Sequence, residues 1–279
     1  MIGNVTSGLN WFQLWGAGYL VCLLLLFWFY KKWIADGRYE MKRIQVFYFT
    51  LSLILFYLAV GSPVAVIAAE ELFSAHVLEL MVVLFISVPL FILGLPKEFL
   101  RSFFWSYRMR VMLKFSTHPW VTATIFNVAL SVYLVPSVFN WLQQHTLLLG
   151  MSQAALLAAS FFMWWTIISP LPEMNPLSEP VRVLYVFVAS VLLMPIGIFL
   201  LIASTPFYTV YAESVQQQLP QLNAVQDQQL AGGLLKAVQL SSYGFALFLL
   251  IVKWAKKEEE PDDDYPYSPG QAINGPVKK

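Results

Sequence analysis

Charge is what this sequence has least of. Only 12% of its 279 residues are Asp, Glu, Lys or Arg, against about 25% in an ordinary soluble domain, while 58% are hydrophobic. Such an inventory cannot clothe a soluble globule, and nucleic-acid binding, which needs clustered cations, has no support. Cysteine is almost missing as well. Cys22 stands alone, which excludes an internal disulfide and any CxxC-type metal or redox site; an isolated Cys among leucines is packing material. No Ser/His/Asp order, P-loop or Gly-rich cofactor turn stands out, so an enzyme finds little support.

Long apolar runs are what the chain has in abundance. A bilayer core takes about 20 mainly apolar residues per helical span. Seven stretches qualify: Phe12 to Tyr30, Ile44 to Gly61, His76 to Leu95, Trp120 to Phe139, Thr146 to Ile168, Val181 to Ser204 and Leu230 to Lys253. They lack the period-two alternation of barrel strands and are much longer than those strands. The expected fold is an all-α membrane protein, a bundle of seven transmembrane helices over residues 1–255. The tail 256–279 is charged, Pro-rich and without an apolar face, and is expected to be disordered.

All but one of the 17 Lys and Arg residues fall on alternate loops, after the first and third runs, before the sixth and after the seventh. The positive-inside rule then places the N-terminus outside and the C-terminus in the cytoplasm. Nothing positive precedes the first run, which argues against a cleaved signal peptide. Residues 97–114 mix aromatics with cations and read as a short cytoplasmic interfacial segment or a plain connector. Pro63, Pro89, Pro136 and Pro195 lie in or at the edges of runs, where kinks are expected.

Polar residues gather on the outer side. They comprise Glu70, Glu71, His76, Glu79, His145, Glu213 and Asp227, with the remaining cation, Lys236, about six residues inside the last run. His76 and Glu79 are three apart and share a helix face, and a His beside a carboxylate is a usual arrangement around a metal. Imidazole with a soft Met, Met81 or Met151, favours copper over magnesium or calcium. The competing reading is structural hydrogen bonding. His118 reads as a cap or interface residue. A charged Lys236 costs about 2.5 to 3.5 kcal/mol at the bilayer centre, so a structural ion pair of Glu79 with Lys236 is expected. Gly232 and Gly233 let that helix approach a neighbour closely. Seven helices with a lysine in the last also outline a retinal protein. Here, however, Asp227 lies nine residues before Lys236 and Glu79 sits near the start of its run, so the residues do not match.

The segments "SAHVLELMVVLFISVPLFILGLP", "THPW", "FFMWWTIISPLPE", "PFYTVYAE" and "DQQLAGGLLK" occur in an order and at a spacing that resemble the CtaG family of cytochrome c oxidase assembly factors, the bacterial seven-helix membrane type. The resemblance covers roughly Phe73 to Lys253. It implies a multi-pass protein of the bacterial cell membrane that helps assemble a haem-copper oxidase, with an oxidase subunit and membrane lipid as partners and a copper-handling role on the outer side. It carries His76 onto the family's first histidine and Asp227, Gln228 and Gln229 onto its acidic motif. Where the family often has further histidines, this chain has Leu80 and Gly150 to Gln153. A copper site here would therefore draw on His76, Glu79, Met81 or Met151, His145 and Asp227. The favoured function is a non-enzymatic assembly factor presenting Cu(I). The alternative is a metal-free chaperone for an oxidase subunit; a haem or quinone protein is disfavoured because His145 falls in a loop.

Overall fold

The computed structural model describes residues 12, 15–35, 42–63, 65, 71–103, 118–171, 173, 177–212 and 222–259. Glu70, Glu213, residues 104–114 of the expected interfacial segment and residues 260–279 of the tail lie outside them. Every regular element among the described residues is helical: α1 (Ala17–Ala35), α2 (Arg43–Val60), α3 (Phe73–Gly94), α4 (Lys97–Phe103), α5 (Pro119–Tyr133), α6 (Pro136–Gln143), α7 (Thr146–Ile168), α8 (Glu179–Leu192), α9 (Met194–Ile202) and α10 (Ala224–Glu259).

Five described stretches are long and apolar enough to cross a membrane: α2, α3, α7, α8 with α9, and α10. The helices α5 and α6 make a sixth only if counted as one span, and they meet at 71°. The expectation of seven is thus supported for five to six. The expected run from Trp120 to Phe139 is not a straight rod, because Pro136 opens α6 at its first turn, where a ring that lacks an N–H is tolerated.

Helix boundaries follow local chemistry. The α7 helix ends at Ser169, which adopts a left-handed conformation (φ 48°) and returns its N–H to Trp165 O at 2.8 Å; Pro170 follows and cannot continue the helix. At the start of α10, Asn223 Oδ1 accepts from the Gln226 N–H and Gln226 Oε1 accepts from the Asn223 N–H, a reciprocal cap. With 36 residues, α10 extends about 54 Å and projects beyond a hydrocarbon core of about 30 Å.

The centre of the bundle is α3, which packs against α2, α7 and α10, whereas α1 touches α2 at the edge. Small and polar groups make these approaches close, as expected where lipid gives helices no hydrophobic reason to associate. Ser52 and Ser87 donate reciprocally to each other's carbonyls at 2.8 and 2.9 Å. Gly94 faces the Phe49 backbone so closely that a Cβ would sit 2.7 Å from its Cα. Of the glycine pair, Gly232 lies against the Leu200 and Leu201 backbone, while Gly233 has open contact only.

Inside α3, residues Val83–Ser87 form a π-helical turn, with the Val88 N–H on Val83 O. In that register Leu84 O would accept from residue 89, which is a proline and has no N–H. The orphaned carbonyl is taken by α7: Ser160 Oγ donates to it at 2.7 Å and Trp164 Nε1 at 2.9 Å. At the opposite end of the bundle from Asp227, the exposed Arg101 donates to Glu173 at 2.6 Å and holds its carboxyl below the usual carboxylate range.

Candidate functional site

The polar cluster forms where the starts of α3 and α10 meet. The residue before α3, Leu72, offers no side-chain acceptor to the first turn, so local sequence leaves N–H groups of α3 without partners. Asp227, one turn into α10 and 1% exposed, supplies the acceptor from 154 residues away. Its Oδ2 accepts from the Phe73 N–H at 2.8 Å, and its Oδ1 from the Ser74 N–H at 3.2 Å and from the Ser74 hydroxyl. A carboxylate at the positive end of a helix is favourably placed. Both oxygens are therefore committed to α3.

The next two residues of the motif work in the same manner. Gln228 Oε1 accepts from the Phe207 N–H at 3.0 Å, and Gln229 Nε2 donates to Ala203 O at 2.9 Å. Together Asp227, Gln228 and Gln229 fasten α10 to the head of α3 and to the segment that follows α9.

His76 is buried, 4% exposed, one turn into α3. Its Nε2 lies 2.9 Å from the Tyr133 hydroxyl at the end of α5, and the Phe139 ring of α6 meets it edge-on at 5.4 Å. Glu79 lies one turn further along α3, and the Tyr211 ring lies 6.1 Å from that of Phe139. Gln153 of α7 approaches the same Tyr133 hydroxyl. The bend between α5 and α6 is what brings Tyr133 and Phe139 to one histidine. The sequence reading missed Tyr133, Tyr211 and Gln153; polar tips at the ends of otherwise apolar runs were the available signal.

The remaining candidates do not converge. Met81 is fully buried in the apolar core beside Val77 and Leu84, and Met151 is 68% exposed. His145 precedes α7 at the surface and turns its ring back to α6, with Nδ1 2.9 Å from Trp141 O. Among the described residues no three His, Cys, Asp or Glu side chains come together to hold a metal. A copper site of His76, Glu79, Met81, His145 and Asp227 does not fit this arrangement, because Asp227 is occupied by backbone donors and His145 and Met81 face other surroundings.

The expected Glu79 to Lys236 ion pair is not formed; the ion pairs among the described residues are Arg101 with Glu173, Arg182 with Glu179 and Lys253 with Glu179. Lys236 instead donates to Leu193 O at 3.3 Å and to Gln239 Oε1 at 2.9 Å, while Gln239 Nε2 donates to Ser190 O at 3.0 Å. Leu193 is the break between α8 and α9, set by Pro195. The negative end of α8 attracts the ammonium group, and Leu193 O accepts a hydrogen bond from it. Gly197 leaves room for the lysine stem, since a Cβ there would meet Lys236 Cε at 2.3 Å.

These features define a multi-helix membrane protein whose intramembrane polar residues bind helix ends and breaks together. The family model for cytochrome c oxidase caa3 assembly factors, Caa3_CtaG, matches residues 24–257. The chain belongs to that family, and membership implies a non-catalytic role in oxidase assembly. Neither the curated proteins nor the solved structures yield a significant match.

Proposed function

We propose that this chain serves assembly of a cytochrome c oxidase as a metal-free membrane chaperone, holding an oxidase subunit through the apolar flanks of its bundle. The observation that supports this is the use made of the motif residues. Asp227, Gln228 and Gln229 each bond neighbouring backbone, and Trp164 does the same at the α3 break, so they build a rigid frame around the bundle. Seven spans with the N-terminus outside and the C-terminus in the cytoplasm belong to the same proposal, supported by the placement of the basic residues.

One observation favours a second reading, copper as cargo. His76 and Glu79 lie one turn apart on α3, with Tyr133 at the imidazole, and imidazole is a good copper ligand. His76→Gln separates the two, because the amide can still bond the Tyr133 hydroxyl. In cells that lack the factor, this variant restores an oxidase with full subunit and copper content if the chaperone reading holds. An oxidase that keeps its subunits but lacks copper would overturn it, as would purified protein that retains about one Cu(I) and loses it on His76→Ala.

A further inference from the structure

A groove of about 470 Å³ opens between the second half of α3, the end of α7 and α10. Its walls are almost wholly apolar, with Pro89, Trp164, Phe245 and Leu249 among them, and its polar lining is Ser241, Ser242 and Lys253 of α10 with Arg182 of α8. Arg182 is 4% exposed. Among the described residues its only ion pair is a long one, Nη1 to Glu179 Oε2 at 3.4 Å, and its Nε has no partner. Glu179 also receives Lys253 Nζ at 2.8 Å. Two cations thus share one carboxylate, which leaves a positive charge and an unused, buried guanidinium N–H at the head of an apolar slot. A guanidinium held that way lacks an anionic partner, and phosphate oxygens match its forked donors.

We propose that this groove binds one anionic phospholipid, an acyl chain lying along α3 and α10 and the phosphate meeting Arg182 and Lys253. Charge complementarity decides the occupant. A transmembrane segment of a partner would have to bring an anion into the membrane, which is costly, and a helix about 10 Å wide fills this volume in about one turn. The anionic head also places the lipid in the leaflet on the side of the basic loops, in keeping with their attraction to anionic surfaces.

The test uses the full chain in detergent and follows thermal unfolding through tryptophan fluorescence, with co-purified phospholipid quantified by extraction and mass spectrometry. The additions are phosphatidylglycerol, phosphatidylcholine with the same acyl chains, and inorganic phosphate. Phosphatidylglycerol raises the midpoint and the other two do so much less. Lys253→Gln, at a side chain 63% exposed and so safe for folding, weakens the phosphatidylglycerol response about fivefold. Ser242→Trp, which fills the groove, removes it, and Lys256→Gln leaves it unchanged. Equal responses to the two phospholipids, or lipid retained in full by both Lys253→Gln and Ser242→Trp, overturn the proposal. So does stabilisation by inorganic phosphate alone that survives Ser242→Trp. Loss of a bound oxidase subunit on Ser242→Trp with an unaltered phosphatidylglycerol response assigns the groove to a protein helix and also overturns it.

Discussion

Replacing Asp227 by alanine tests whether the acidic motif is a cap or a ligand. The substitution deletes an acceptor that serves the Phe73 N–H, the Ser74 N–H and the Ser74 hydroxyl. The hydroxyl can rotate to another acceptor, but the two amides are buried at the head of α3 with no local substitute, since Leu72 has none. Each buried donor left unsatisfied costs about 1 to 3 kcal/mol, and loss of a cap alone costs about 0.5 to 2 kcal/mol. Because the contributions overlap, the expected loss is about 3 kcal/mol. Asp227→Asn keeps one acceptor oxygen but turns an NH₂ toward a donor, and should lose about 1 to 2 kcal/mol. Equilibrium unfolding in mixed micelles, followed by tryptophan fluorescence, measures both. The losses should be the same with and without added Cu(I), whereas a ligand role makes them appear only when copper is present. An Asp227→Ala variant within about 0.5 kcal/mol of the parent chain would refute the capping account.

Three further outcomes follow from the helix breaks. Gly197→Ala pushes the Lys236 stem out of its channel and should cost about 1 to 3 kcal/mol; the cost should largely vanish in a Lys236→Ala background, and a full cost there would show that the stem is not the obstacle. Lys236→Met and Glu79→Gln should have additive effects on unfolding free energy, because no ion pair joins the two side chains; mutual rescue would restore the pair. Trp164→Phe and Ser160→Ala each leave Leu84 O one donor and should cost about 1 kcal/mol. The double variant should cost more than their sum, and simple additivity would mean that water already serves that carbonyl.

The interior of five of the apolar runs was legible because membrane length and hydropathy suffice to mark them, and the α7 boundaries at Thr146 and Ile168 were read to the residue, fenced by His145 and by Ser169 with Pro170. Pro89, Pro136 and Pro195 each mark a real irregularity: a π-turn, a 71° bend and a helix break. What could not be read was which side chain repairs each break. The Trp164 bond to Leu84 spans 80 residues and the Lys236 bond to Leu193 spans 43, and no local spacing encodes such pairings. The reading of Asp227 and Lys236 went astray for one reason: it sought partners for charged side chains among other side chains and a metal, and left out the ends of helices.

Helix ends turn out to be the partners that matter. Asp227 sits at the N-terminus of α3, where amide N–H groups carry a partial positive charge. Lys236 sits at the C-terminus of α8, where carbonyls carry a partial negative one. The buried Asp227 and the half-buried Lys236 are thus each met by backbone of the opposite sign, without a second ion. This arrangement fixes a bundle whose helices are broken where straight ones would pack more simply, and it removes both residues from the list of free ligands. Glu79 differs: it lies in the interior of α3, away from any helix end, one turn from His76. If the polar cluster has a chemical task beyond holding the frame, Glu79 is where a substitution should abolish oxidase assembly while leaving the stability of the chain close to its parent value.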